Sequence, residues 1–141
     1  MPQFGLNDAY APSFRSLSDF EKQYLEAMFF TNGDIGGDDE SKLNRLGVKR
    51  LTRDSIKLIQ NDCAKFLAIH IDGKTVAQWI NEKATGKSIA GHDFWFTRQG
   101  HGTGFSDGGW IDEKYDGPLT RASELLGECD VETRRGWIYV R

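Results

Sequence analysis

The sequence predicts an α+β protein: an amino-terminal helical layer packed on a small antiparallel sheet of two β-hairpins with an intervening helix. Three observations carry that expectation. Over residues 18–84 the apolar side chains recur at three- and four-residue steps behind recognisable helix starts. Over residues 91–117 the register changes: seven of the chain's 16 glycines fall in 27 residues, and the apolar residues become large aromatics. That composition favours strands and tight turns. The closing stretch then offers a proline-started helix and two short alternating runs.

Taken in order, residues 1–17 mix Pro2, Gly5 and Pro12 with Phe4, Tyr10 and Phe14 without a period, which reads as an arm with aromatic anchors. Ser18 and Glu21 form a capping-box pair that opens a first helix, with Phe20, Tyr24, Ala27 and Met28 on one face. It should run to about Phe30 and leave through Thr31-Asn32-Gly33. Asp34 to Glu40 reads as a solvated acidic loop. Gly36-Gly37 breaks the alternation of oxygen ligands that a calcium loop needs. A short piece from Ser41 to Leu46 stops at Gly47, and Thr52 then caps the longest helix. Its buried stripe is Ile56, Ile59, Cys63, Phe66, Leu67 and His70, so Cys63 is expected as a small core residue and His70 as a structural one near the helix end. Asp72-Gly73 makes a turn, and Thr75 with Gln78 caps a further helix to about Ala84, with Val76, Trp79 and Ile80 inward.

Residues 92–98 alternate as a strand, Phe94, Phe96 and Arg98 on one face and Asp93, Trp95 and Thr97 on the other. Gln99-Gly100-His101-Gly102 supplies the turn and Thr103 to Asp107 the return strand. A helix from Pro118 to Leu126 ends before Gly127. Two strands follow, about Cys129 to Thr133 and Trp137 to Val140, joined by Arg134-Arg135-Gly136. The closing strands are expected to pair beside the central hairpin. At 141 residues this is a single domain, 1–141, divided into the arm (1–17), a mainly helical part (18–84) and a hairpin–helix–hairpin part (91–141).

Composition narrows the function classes. Basic residues number 18 against 21 acidic, for a net charge of -3, which excludes a protein whose main work is coating duplex DNA. No apolar run approaches the ~18 residues of a spanning helix, and no charged-then-apolar leader opens the chain, so no membrane role is expected. Cys63 and Cys129 lie far apart without a CxxC, as reduced cytoplasmic thiols do. Gly73-Lys74-Thr75 and Gly86-Lys87-Ser88 look like the end of a phosphate loop. The glycine that such a loop needs five positions earlier is Ala68 in one and Asn81 in the other, so both fail.

The informative stretch is GHDFWFTRQGHGTGFSDGGW, residues 91–110. Gly100, Gly102 and Gly104 crowd His101, so a ligand or another backbone could approach that turn without meeting a side chain. Asp93, Arg98, His101 and Asp107 could gather at one end of the hairpin, and a histidine–carboxylate pair is the minimum for general-base work. The structural reading is favoured: Arg98 pairs with Asp107 across the strands, Asp93 bonds a turn and His101 lies at an exposed tip. His92 and His101 stand on separate elements, so no metal site is expected, and nothing implies a cofactor. A third reading takes the aromatics with Arg98 as a base-stacking surface. It is helped by two basic runs, Lys42, Arg45, Lys49, Arg50 and Arg53, and Arg134, Arg135 and Arg141, each more simply a solvated face.

The string HDFWFTRQGHGTGFSDGGW followed by PLTRASELLGECDVETRRGWIYV resembles a group of small proteins encoded by bacteriophages and mobile elements, with the pattern GHDFWxTRxGHGxGFxD. QYLEAMFF and NDCAKFLA resemble the same group's amino-terminal helices, so the likeness covers roughly residues 24–139. Two departures stand out. Ser106 occupies a place where the group commonly has an aromatic, and Arg134-Arg135-Gly136 replaces an acidic turn. The resemblance implies an accessory protein acting in the cytoplasm of an infected bacterium, and it brings no catalytic assignment. The expected function is therefore a binding protein that modulates a host defence or transcription complex by protein–protein contact. Two alternatives stay open: a small enzyme or nucleotide-binding protein using His101, Asp93, Arg98 and Asp107, and a single-stranded nucleic-acid binder. The expected binding residues are Trp95, Arg98, Gly100, His101, Gly102 and Phe105 in the central hairpin. Trp110, Tyr115, Arg134, Arg135, Trp137 and Tyr139 complete the set beyond it.

Overall fold

The computed structural model describes residues 15–31, 46–100, 104–106, 111 and 117–141. The anchors Phe4, Tyr10 and Phe14, the acidic loop, Lys42 and Arg45 therefore lie outside the described residues.

Helix α1 spans Asp19–Thr31 and begins as its capping box dictates: the Ser18 amide donates to Glu21 Oε1 at 2.8 Å, and the Glu21 amide donates to Ser18 Oγ at 3.1 Å. Tyr24, Leu25, Ala27, Met28 and Phe29 are all buried, a wider inner face than four residues imply. A 3₁₀ turn at Val48–Arg50 follows Gly47 and leads to α2, Arg53–Ala68, whose cap is Thr52: Oγ1 accepts the Ser55 amide at 3.1 Å. Ser55, Ile59, Cys63 and Phe66 are its buried residues, and Ile56 and Leu67 pack at the edge of the core. His70 leaves this stripe. It is exposed and stands in β1 (His70–Ile71), which pairs with β2 (Lys74–Thr75). The two residues between them, Asp72 and Gly73, have φ of 50° and 88°, as a mirror-image hairpin turn demands. Helix α3, Val76–Asn81, carries the Thr75–Gln78 capping box and buries Val76 and Ile80.

The main correction concerns residues 92–98. They form no strand; they are the second half of helix α4, Ala84–Arg98. Every residue from Ala90 to Phe96 is buried, so no polar face marks the helical period, and the three consecutive aromatics imitate a strand. The glycine signal misleads for a related reason. A Cβ on Gly91 would lie 2.3 Å from the Phe20 carbonyl oxygen and 2.9 Å from the Tyr24 nitrogen, so this glycine exists to let α1 cross α4 at contact. Gln23 fastens the crossing: its amide nitrogen donates to the Lys87 carbonyl at 2.8 Å, and its amide oxygen accepts the Gly91 N–H at 2.9 Å.

Around the crossing the aromatic residues form the core. Phe66 and Phe94 stack at 4.0 Å and 3° between rings, Phe105 packs 5.9 Å from Phe66, and Trp95 meets Tyr24 edge-on at 5.3 Å. Helix α5, Pro118–Leu126, has its proline in the first turn and Gly127 past its end at φ 71°, and buries Leu119 and Ala122.

The fold is α+β, but its sheets are two separate antiparallel hairpins, β1–β2 and β3–β4. β3 (Val131–Arg134) pairs with β4 (Trp137–Val140) in the register Val131↔Val140, Glu132↔Tyr139 and Arg134↔Trp137. The expected pairing beside a central hairpin is replaced by docking on the start of α2. Leu51 bridges Ile138 in parallel, the Thr52 amide donates to the Ile138 carbonyl at 3.1 Å, and the Val140 amide donates to Ser55 Oγ at 2.9 Å.

Candidate functional site

The central motif contributes a framework. Arg98 is 5% exposed and ends α4 inside the protein. Its Nε donates to the Gly127 carbonyl at 2.7 Å and Nη2 to the Leu126 carbonyl at 3.1 Å. These carbonyls belong to the exit of α5, where helix geometry leaves acceptors without partners. Nη1 donates to Asp62 Oδ2 at 2.9 Å and to the Tyr24 hydroxyl at 3.0 Å. One guanidinium therefore ties α1, α2, α4 and α5 together, and its fork of donors is what allows it. Burial opposes the Arg98 charge, while Tyr24 and Asp62 beside it prevail and raise its pKa. Burial also pushes the Tyr24 phenol well above 10 and raises the Cys129 thiol, which lies 3.7 Å from the Tyr24 oxygen.

The neighbours of Arg98 have the same kind of task. The Gln99 side chain brackets Cys129, donating to its carbonyl at 2.9 Å and accepting its amide at 2.8 Å, as an adjacent strand would. Thr97 Oγ1 accepts the Phe105 amide at 3.0 Å. A Cβ on Gly104 would lie 1.9 Å from that Thr97 oxygen, so the space at this glycine is filled by a side chain of the same domain. Gly100, at φ 77°, is the left-handed exit of α4.

These placements revise the expected site. Trp95 is fully buried and its indole N–H donates to Thr31 Oγ1 at 2.7 Å; Phe105 is fully buried against Phe66. Neither is a surface anchor. Asp93 is 1% exposed on α4, and Arg98 takes Asp62 as its carboxylate partner among the described residues. Gly100 and Gly104 serve the backbone. His101, Gly102, Asp107, Trp110 and Tyr115 lie outside the described residues. Among those described, no group of three or more His, Cys, Asp or Glu side chains could hold a metal ion.

The closing hairpin places four of the expected residues, Arg134, Arg135, Trp137 and Tyr139, at or near the surface. β4 alternates: Ile138 and Val140 are buried, while Trp137 is 41% exposed and Tyr139 half-buried on the opposite face. Arg134, across from Trp137, lies over the Tyr139 ring at 4.7 Å, and Arg50, from the 3₁₀ turn, lies over the Trp137 ring at 5.3 Å. Arg141 pairs with Glu132 at 2.7 Å. The turn residues Arg135 and Gly136 both have positive φ, 53° and 82°. Arg135 thus holds a conformation that glycine or asparagine fits better, while Gly136 meets the same demand without strain. Two aromatic rings, each covered by an arginine, form a chemically coherent exposed surface.

Sequence reading missed Arg50 and Arg141 as members of this surface, although both belong to runs visible in the sequence. The Leu51–Ile138 bridge and the Thr52 and Ser55 hydrogen bonds to β4 bring the first run to the hairpin. Comparison with known proteins gives no matching family model, no matching curated protein and no matching solved structure.

Proposed function

We propose that this chain is a phage-encoded accessory protein that works by binding, occupying a surface of a host defence or transcription complex in the cytoplasm of the infected bacterium. The carrying observation is the outer face of the closing hairpin, where Trp137 is exposed beside Tyr139 under Arg50 and Arg134. Tryptophan, tyrosine and arginine are the residue types that dominate binding energy at protein interfaces. Here they stand on a hairpin held by the Leu51 bridge and the Ser55 hydroxyl, so little ordering entropy is lost on binding. Arg98 and Asp93 are both buried, which favours a structural use of the two over a catalytic one. Among the described residues no helix is long and apolar enough to cross a membrane.

Affinity capture from infected-host lysate tests the reading, run with and without nuclease, with wild type beside a Trp137→Ala/Tyr139→Ala variant. The expected result is a specific protein retained by wild type after nuclease and lost with the double variant. Retention by both proteins, or loss of the partner on nuclease treatment, would overturn it.

A further inference from the structure

Six of the exposed basic residues fall in two runs, Lys49, Arg50 and Arg53 early in the chain and Arg134, Arg135 and Arg141 at its end. The fold makes them one surface. The Leu51–Ile138 bridge lays the first run alongside β4, where Arg50 covers Trp137. Beyond Tyr139 a recess of about 530 Å³ is lined by residues 52–55, Leu58 and residues 139–141, so Arg53 and Arg141 share its wall with the Asp54 carboxylate. Setting aside these six cations and their neighbours Asp54 and Glu132, the rest of the chain carries a net charge of -7. A cationic, aromatic face on an acidic protein calls for a complementary anion.

We infer that this face receives a short acidic segment of a partner protein. The inference rests on the binding reading above and names the partner's chemistry. Aspartate or glutamate carboxylates fit the arginine forks in pairs, and an apolar side chain between them covers the exposed part of Trp137. Length decides against nucleic acid. β4 has four residues, so its strand face is ~13 Å long, room for about four extended peptide residues and short of a groove that tracks ~4–16 nucleotides. A longer strand would overhang the patch. A short peptide does not.

The test is fluorescence anisotropy with the full chain and three labelled probes: a six-residue peptide with three glutamates among leucine and serine, its glutamine analogue, and a six-nucleotide oligo-dT. The glutamate peptide should bind at low salt and weaken as salt rises. Arg50→Glu and Arg134→Glu should each weaken it about fivefold, and the neutral Arg50→Gln and Arg134→Gln about twofold. Both arginines are exposed, and unchanged unfolding midpoints verify that the variants fold. The glutamine peptide should bind at least about tenfold more weakly. Equal binding of the two peptides, or indifference to the charge reversals, overturns the inference. Tighter binding of oligo-dT overturns it in favour of nucleic acid. In lysate capture, a partner lost with Trp137→Ala/Tyr139→Ala yet kept with Arg50→Glu/Arg134→Glu sinks the acidic segment and leaves the binding reading standing. A partner kept by both variants sinks both.

Discussion

Replacing Arg98 by methionine keeps most of the apolar bulk and removes every donor at the junction of four helices. The Asp62 side chain, 13% exposed, then loses the guanidinium 2.9 Å away, and the Leu126 and Gly127 carbonyls and the Tyr24 hydroxyl each lose a donor. Removing one partner of a buried ion pair costs about 3–5 kcal/mol, and an orphaned carbonyl about 1–3 kcal/mol. Water reaching Asp62 offsets part of that, so a net loss on the order of 4 kcal/mol is expected, from a total of ~5–15 kcal/mol. For a domain of this size that lowers the melting temperature by on the order of 15 °C. Urea unfolding followed by circular dichroism and tryptophan fluorescence measures it. Asp62→Leu completes a double-mutant cycle, and the double variant should be more stable than Arg98→Met alone, because the stranded carboxylate is gone. An Arg98→Met protein within about 1 kcal/mol of wild type, or a strictly additive cycle, would refute the framework role. Retained stability with abolished binding would return Arg98 to the functional site.

Three further outcomes are expected. Gly91→Ala should destabilise by about 3 kcal/mol, since the Phe20 carbonyl oxygen 2.3 Å from the new Cβ is backbone and α1 must shift. Gly100→Ala, at φ 77° with open space, should lose only about 1 kcal/mol, and equal urea midpoints for the two would contradict the tight crossing. His92 is held below its ordinary pKa of 6.5 by burial, which outweighs the nearby Glu26. The native state therefore binds this proton more weakly than the unfolded chain does. Its stabilisation is complete above about pH 6.5 and declines as the pH falls through the folded value. His92→Gln should flatten the fall in urea midpoint between about pH 7 and about pH 5, and an unchanged slope would refute the assignment. Cys63 and Cys129 are both buried and their thiols pushed up by burial, so a disulfide reagent should label them no faster than the protein unfolds. Rapid labelling of either thiol in the native state would show that its site opens.

Where a local interaction decides, the chain announces its structure. Ser18 with Glu21, Thr52, Thr75 with Gln78, and Pro118 with Gly127 each start or stop an element where that local chemistry predicts, because caps and turns satisfy backbone groups within a few residues. The alternation of Trp137, Ile138, Tyr139 and Val140 likewise announces a strand with one wet face. Residues 92–98 resist the same treatment. A helix enclosed on every side has no polar stripe, and Gly91 and Gly104 owe their identity to Phe20 and Thr97 in other segments. Arg98 reads as a functional cation for the same reason, since its partners Asp62, Tyr24 and Gly127 come from three distant places in the chain. The proposed binding face is divided between the two cases. Its residue types stand in the sequence, and their union rests on a backbone bridge between Leu51 and Ile138 that no local pattern encodes. Local hydrogen bonding acts within a few residues, whereas packing joins segments by shape and burial.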